Sequence, residues 1–357
     1  MISLKSIQIF YGASMKTIAY RTIVVAQLAT VVLTWDLWQQ RTTPPLLPIF
    51  DTLPQISIGP LLIIVLTISL FTTRLGTISY LLVLIYAFLA DQTRLQPEFV
   101  SMALLLISIE FEFARFIGRA HLITLWIWSG IHKMLSHGFE TDLTWISEWI
   151  NIPTPALRWI IPVMEVSLGV AAITYRTRKF ATLMAICLHG GILVLLIYHN
   201  WNSAVWPWNI ALPVAGVFLL NDPKGYKFTN NFQKLNVQTQ THALAALIWT
   251  IAWIYPVGFY LGISNAYMSH NLYSGNSKTA FVCAINTDHD WKCFNLSAKT
   301  QKSLNVPLPP ESYIFKSQFK RSCKPNETLF IYPVRTVFNT EDFLPTEKYS
   351  SFPCYKT

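Results

Sequence analysis

Along residues 1–263 the chain alternates apolar stretches of membrane-helix length with short polar joints, and after that the alternation stops. A hydrocarbon core about 30 Å thick takes roughly 20 helical residues. Nine stretches approach that length: 17–35, 58–73, 76–91, 98–116, 120–136, 155–175, 179–198, 204–220 and 243–263. The third and eighth are short, and Pro207 and Pro213 predict a kink or partial re-entry in the eighth. Beyond Ser264, the runs Thr279–Ile285, Ser312–Phe319 and Thr328–Val337 mix aromatic and β-branched residues between Pro, Asn, Lys and Gly, which predicts short strands. The expected fold is an all-α polytopic membrane helical bundle over 1–263, followed by a small β-rich domain over 264–357.

The charges orient this bundle. Only 13% of the 357 residues are charged, against about 25% in an average soluble domain. Lys5, Lys16, Arg21, Arg74, Arg115, Arg119, Arg176, Arg178, Lys179, Lys224, Lys227 and Lys234 all fall on one set of alternate joints. The other set holds Arg41, Arg94 and Arg158 among Asp36, Asp51, Asp91, Glu98, Glu140, Asp142 and Glu148. The positive-inside rule then predicts a cytoplasmic N-terminus, and nine crossings deliver the tail to the extracytoplasmic side. The net charge of +9 is spread over helix ends rather than gathered on one soluble face, so no nucleic-acid partner is expected. The partner that composition demands is the lipid bilayer. The first apolar stretch runs on without a small-residue cleavage site, so it is expected to be a retained helix rather than a signal peptide.

Cysteine usage gives the same sidedness independently. Cys283, Cys293, Cys323 and Cys354 all belong to the tail, and an even number in a compact segment is what an oxidising compartment produces. Two disulfides are expected, by any of three pairings. The spacings match no metal knuckle and no CxxC pair, and no metal site is expected. Cys187, alone in the seventh stretch, is expected to pack in the core.

Ionisable groups at membrane depth are costly, and each is a candidate for function. Glu112 and Arg115, three apart beside Glu110, predict an ion pair. Glu165 lies near the middle of the sixth stretch. His189 lies at similar depth in the seventh, before Gly190 and Gly191, which would admit a close neighbour. A Glu165–His189 contact would handle protons; the alternative is a neutral core acid and a hydrogen-bonded core histidine. The densest polar group lies toward the outer ends: Trp126, Trp128, His132 and Lys133; His199, Asn200 and Asn202; Trp206, Trp208 and Asn209; Asp91 and Arg94. An interfacial belt accounts for the tryptophans but not for the imidazoles, amine and amides beside them. These residues predict a polar, aromatic-walled pocket in which Lys133, His132 and His199 move protons. Haem is not expected: His121 and His132 share a helical face, but nothing obvious faces His121.

Three runs carry a family resemblance: Asp91-Gln-Thr-Arg94-Leu-Gln-Pro97, Trp126-Ile-Trp-Ser-Gly-Ile-His-Lys133 and His199-Asn-Trp-Asn-Ser-Ala-Val-Trp-Pro-Trp-Asn209. With Leu272-Tyr-Ser-Gly-Asn276, they make the chain resemble a group of bacterial membrane proteins over roughly residues 15–275. That group lies near the DoxX/MauE redox-associated proteins and the HTTM proteins related to vitamin K-dependent γ-carboxylase. The DoxX/MauE side implies electron transfer or redox maturation in the bacterial inner membrane, working with a quinone or a periplasmic thiol partner, and hence a membrane or periplasmic protein partner. The carboxylase side implies an enzyme with a lysine base, which Lys133 matches within Ser129-Gly130-Ile131-His132-Lys133. A third expectation is a non-catalytic subunit that docks partners through the outer domain.

Overall fold

A computed structural model describes residues 4–221, 239–285, 291–334 and 349–354. Lys224, Lys227 and Lys234, and the end of the run Thr328–Val337, lie outside them. Nine helices fall where the nine apolar stretches were expected: α1 (Leu4–Leu33), α2 (Gly59–Ser69), α3 (Thr73–Ala90), α4 (Pro97–Glu110), α5 (Arg115–Met134), α8 (Thr154–Ile173), α9 (Arg178–Tyr198), α10 (Trp206–Asn221) and α11 (Thr239–Ile254). Two short helices, α6 (Phe139–Asp142) and α7 (Thr144–Ile150), join α5 to α8. Prolines open several of them: Pro60 in α2, Pro97 in α4 and Pro155 in α8 stand in the first turn, where a missing N–H leaves no bond unmade. α10 runs continuously through Pro213. Among the described residues, five helices are long and apolar enough to cross a membrane by themselves: 14–33, 73–90, 154–173, 175–198 and 203–221. α2 and the 245–259 stretch are apolar but shorter. α4 has 14 residues, and α5 carries Arg115, Arg119 and Lys133.

The tail is a four-stranded antiparallel sheet in the order β2-β1-β3-β4, built from β1 (Thr279–Ile285), β2 (Trp291–Asn295), β3 (Glu327–Tyr332) and β4 (Ser350–Pro353). Two helices, α12 (Leu296–Leu304) and α13 (Ser312–Ser322), pack on it. The expected strand at Ser312–Phe319 is thus a helix. Ile314, Phe315, Gln318 and Phe319 are its buried positions, and the spacing of four sets one helical face where strand alternation would have scattered them. The tail is mixed α and β rather than β-rich. Two disulfides settle the pairing question: Cys283–Cys293 and Cys323–Cys354.

The tail packs against one end of the bundle. The Asn305 amide donates to the carbonyl of Leu33, at the end of α1, and to Ser203 ahead of α10. Gln96, before α4, donates to the Pro307 carbonyl. Leu47, in the α1–α2 connection, joins the tail's apolar core, and Arg321 pairs with Asp51 at 3.0 Å. The opposite end is marked by Glu110, which pairs with Lys16 at 3.0 Å and Arg74 at 3.4 Å. Glu112 and Arg115 pair there as well, at 3.6 Å.

The bundle's most extensive helix contact joins α5 and α8. A Cβ on Gly130 would lie 2.6 Å from the Pro162 carbonyl oxygen, and one on Gly169 would lie 2.4 Å from Ile127. Only glycine lets these backbones approach so closely. Gly190 and Gly191, expected to admit a neighbour, have nothing within 4 Å of such an atom. Cys187, expected in the core, is exposed on the outward side of α9. Gly130→Leu should therefore cost about 1–3 kcal/mol or more through overpacking. Gly190→Ala should be neutral or stabilise by about 0.5–1 kcal/mol through helix propensity. Thermal unfolding in detergent separates the two, and equal effects would contradict the packing described.

Candidate functional site

The last turn of α5 places His132 and Lys133 on different sides of the helix, as a rotation of 100° per residue requires. Lys133 turns toward α8. Its ammonium lies 2.9 and 2.8 Å from the two Glu165 carboxylate oxygens and 2.6 Å from the Ser129 hydroxyl, one turn back on α5. All three N–H bonds of the amine are thereby used. Both partners are buried, with Lys133 and Glu165 each 6% exposed. Glu165 thus finds its base on another helix, but that base is Lys133 and not His189. The close approach at Gly130 and Gly169 is what brings the two helices within ion-pair reach.

His132 turns toward the start of the tail. Its Nε2 lies 2.8 Å from the Ser269 carbonyl oxygen and its Nδ1 lies 2.6 Å from the Tyr260 hydroxyl. A carbonyl only accepts, so Nε2 carries the hydrogen, and in the neutral ring Nδ1 accepts from Tyr260. The rings of Trp128, Phe259 and Tyr260 surround the imidazole, with centroids 5.6, 5.6 and 5.4 Å away. The Trp128 indole nitrogen is buried without a hydrogen-bond partner among the described residues, and the buried Asn276 side-chain amide lies beside the Tyr260 hydroxyl.

His189 is fixed by a different chain. Trp126 donates to its Nε2 at 3.0 Å, so Nδ1 carries the hydrogen and donates to the Asn209 side-chain oxygen at 2.8 Å. Asn209 in turn donates to the Val205 carbonyl. Both ring nitrogens of His189 and both polar side-chain atoms of Asn209 are hydrogen-bonded, as in a satisfied core network. A third group gathers at α4: Trp208 donates to the Ser101 hydroxyl at 2.9 Å, which lies 2.7 Å from His121 Nε2. His270 faces His121, with ring centroids 5.4 Å apart, where the sequence offered His121 no facing ring. His132 already has both nitrogens engaged, and no cluster of three metal-ligating residues occurs among the described residues.

Other candidates lie apart from this centre. His199 and Asn200 are exposed, and His199 stacks edge-on against Tyr198. Trp206 donates to the Trp201 carbonyl. Asn202 donates to the Tyr273 hydroxyl. Asp91 forms a separate buried knot. Arg41 meets it at 2.5 Å and Arg94 at 3.6 Å, and it accepts from the Leu47 and Thr93 amides and the Thr93 hydroxyl. Burial pushes the Arg94 guanidinium down to about 10, with Asp91 opposing the shift. With Arg41 donating to the Leu37 and Pro44 carbonyls as well, the knot ties the α1–α2 connection to the end of α3.

Residues to which the sequence assigned no site role, although Leu272–Asn276 carried part of the resemblance, belong mostly to one segment. Ser264–Asn276 contains Ser, Asn, Tyr and His but no charged residue. Ser264, Ser269, Asn271, Ser274 and Asn276 are all buried. His270 at φ 62° and Tyr273 at φ 53° are left-handed. Gly275, with φ 65°, is pressed so closely on Gly138 that a Cβ there would lie 2.4 Å from the Gly138 carbonyl carbon. That contact pins the segment over the end of α5. Uncharged polarity held beside a bundle was the available signal.

Residues 111–205 match the family described as methylamine utilisation protein MauE. This portion, well under half of the chain, runs from the α4–α5 joint to the start of α10. It contains His132, Lys133, Glu165 and His189 but neither the Asp91 knot nor the tail. No curated protein and no solved structure matches the chain.

The buried segment Ser264–Asn276 imposes a pH dependence. Burial, then the neighbouring His121 and His132, holds the His270 imidazole well below its ordinary range. A histidine depressed in the folded state contributes fully above its unfolded pKa of about 6.5, and that contribution is lost as the pH falls below it, by about 1.4 kcal/mol per unit for one proton. The melting temperature should therefore drop between pH 7.5 and 5. His270→Asn, which tolerates the left-handed backbone, should flatten the drop; an unaltered slope would place the titration elsewhere.

Proposed function

We propose that this chain is an inner-membrane, redox-associated protein that handles protons for a quinone-class carrier at the tail-bearing end of its bundle. The buried Lys133–Glu165 pair carries this reading. As an ion pair it is net neutral. It sets two proton-exchanging groups, an ammonium and a carboxylate, in direct contact on facing helices. It sits within the portion that matches MauE, beside the second proton-bearing pair, His132 and Tyr260. A quinone suits the surroundings: the Trp128 indole N–H is buried and unpartnered, and aromatic rings enclose His132, giving the mixed apolar and donor lining that planar carbonyl ligands take. Trp128 and Asn276 are the residues that would hold it. When bound, the quinone supplies two-electron chemistry coupled to two protons. The chain's own contribution is to hold protons on Lys133–Glu165 and on the His132–Tyr260 hydrogen bond. His199, exposed, has no place in this scheme.

The carboxylase-like reading asks for an amine free to act as a base, and Lys133 spends all three hydrogens on Glu165 and Ser129. The scaffold reading has an observation of its own, since the tail presents a separate stapled sheet on the bundle. Under both readings the tail-bearing end is extracytoplasmic, nine helices span the membrane, and residues 1–263 and 264–357 are the two domains.

Two measurements test this. A reporter fused after Thr357 should be active only outside the cytoplasm; cytoplasmic activity would overturn the proposed sidedness. Quinone should co-extract with the purified protein, and Trp128→Phe should lose it at least tenfold while the fold is retained. Lys133→Met alone should cost about 3–5 kcal/mol by stranding Glu165. The double variant Lys133→Met, Glu165→Leu should recover most of that stability, yet no quinone-linked proton uptake. Uptake persisting in the double variant would leave the pair a purely structural tie.

A further inference from the structure

The two disulfides occupy different surroundings. Cys323–Cys354 belongs to the tail's apolar core: Cys323 is 7% exposed and packs with Ile314, Phe319 and Leu329, and Cys354 lies against them. It joins the end of α13 to the far side of the sheet across a separation of 31 residues. Cys283–Cys293 spans only 10 residues and links two residues already paired across the β1–β2 ladder. β2 is an edge strand, and Cys293 on it is exposed. The shorter loop gains less from closure entropy, and the ladder holds the strands together whether or not the sulfurs are joined.

Strand alternation decides which face this bond is on. Ala280, Val282, Leu329 and Ile331 point into the tail core. Phe281, Cys283, Phe330 and Tyr332 therefore share the other face. Phe281 lies 5.7 Å from Tyr332, and Tyr349 lies 5.1 Å from Phe330 and 5.9 Å from Tyr332. Tyr349 is 40% exposed. A disulfide with one exposed residue, Cys293, and one buried residue, Cys283 at 5% exposure, thus sits at the edge of a partly exposed aromatic patch, where Tyr and Phe can form an interface at low entropic cost.

We propose that Cys283–Cys293 is a thiol–disulfide exchange site for an extracytoplasmic dithiol protein, whereas Cys323–Cys354 is the permanent staple. This goes beyond the quinone reading and does not depend on it. In the exchange, a partner thiolate attacks Cys293 Sγ, the sulfur of the exposed residue. The Cys283–Cys293 bond breaks, its electron pair passes to Cys283 Sγ, and that sulfur takes up a proton. The partner's second thiolate then attacks its own sulfur in the mixed disulfide and releases Cys293 as a thiol. The partner ends oxidised by two electrons and the chain reduced by two. Exposure governs such exchange, and the β1–β2 and β1–β3 ladders keep the domain folded in both states.

The test uses the full chain in detergent. Under limiting dithiothreitol followed by iodoacetamide and peptide mass analysis, Cys283 and Cys293 should be labelled at least tenfold faster than Cys323 and Cys354. A monothiol, 2-mercaptoethanesulfonate, should form its adduct on Cys293 and not on Cys283. The double variant Cys283→Ser, Cys293→Ser should keep the wild-type circular dichroism and melting temperature to within a few degrees. Equal labelling of the two disulfides, earlier opening of Cys323–Cys354, an adduct on Cys283, or a double variant that fails to fold would each overturn the assignment. None of these outcomes bears on quinone co-extraction, so the two proposals fail separately.

Discussion

A charge held inside an apolar bundle has to be neutralised where it stands, and the approach of α5 to α8 answers that requirement here. Lys133 reaches Glu165 because Gly130 sits against the Pro162 carbonyl and Gly169 against Ile127. A side chain at either glycine would push the helices apart. The pair would then become two isolated charges, each costing several kcal/mol in an apolar surrounding. Small-residue packing and electrostatics are one constraint in this contact. Its consequence is that α5 has a fixed rotation, which points His132 toward the tail segment while Lys133 faces α8.

The segment Ser264–Asn276 depends on that rotation. Ser269 offers its carbonyl to His132, Tyr260 its hydroxyl, and Gly275 lies against Gly138 past the end of α5. A polar loop buried on a helix bundle must have its backbone groups satisfied. Here the turns do part of that work, with Asn271 accepting from Ser274 and donating to the Asn276 carbonyl. The folded tail is thereby attached through Asn305, Gln96 and Arg321, at the end of the bundle opposite Lys16, Arg74 and Glu110.

Helix positions were legible in the sequence because apolar length is a local property, and each expected stretch contains a helix. The Glu112–Arg115 pair was legible for the same reason, being three residues apart on a backbone of known pitch. Long-range partners were not. Glu165 and His189 lie at similar depth in consecutive stretches, yet depth does not fix rotation, and Trp126 and Asn209 take His189 instead. His199 follows the last turn of α9 and turns outward. The Ser312–Phe319 run deceived because aromatic and β-branched residues suit both strand and helix. The spacing of its buried positions decided for the helix, and that spacing becomes visible only once the sheet gives it something to cover.

Stability alone does not account for Lys133 and Glu165. Apolar residues of similar volume at both positions would often hold two helices as well as a buried ion pair does, or better. The Asp91 knot differs: its carboxylate orders an irregular connection by taking the Leu47 and Thr93 amides together with Arg41. No apolar group could do that. At α5–α8 both elements are regular helices whose backbone needs no outside partner. An ion pair kept there, one residue from a histidine hydrogen-bonded to a tyrosine, therefore calls for a reason beyond packing, which the proposed proton-handling role would supply.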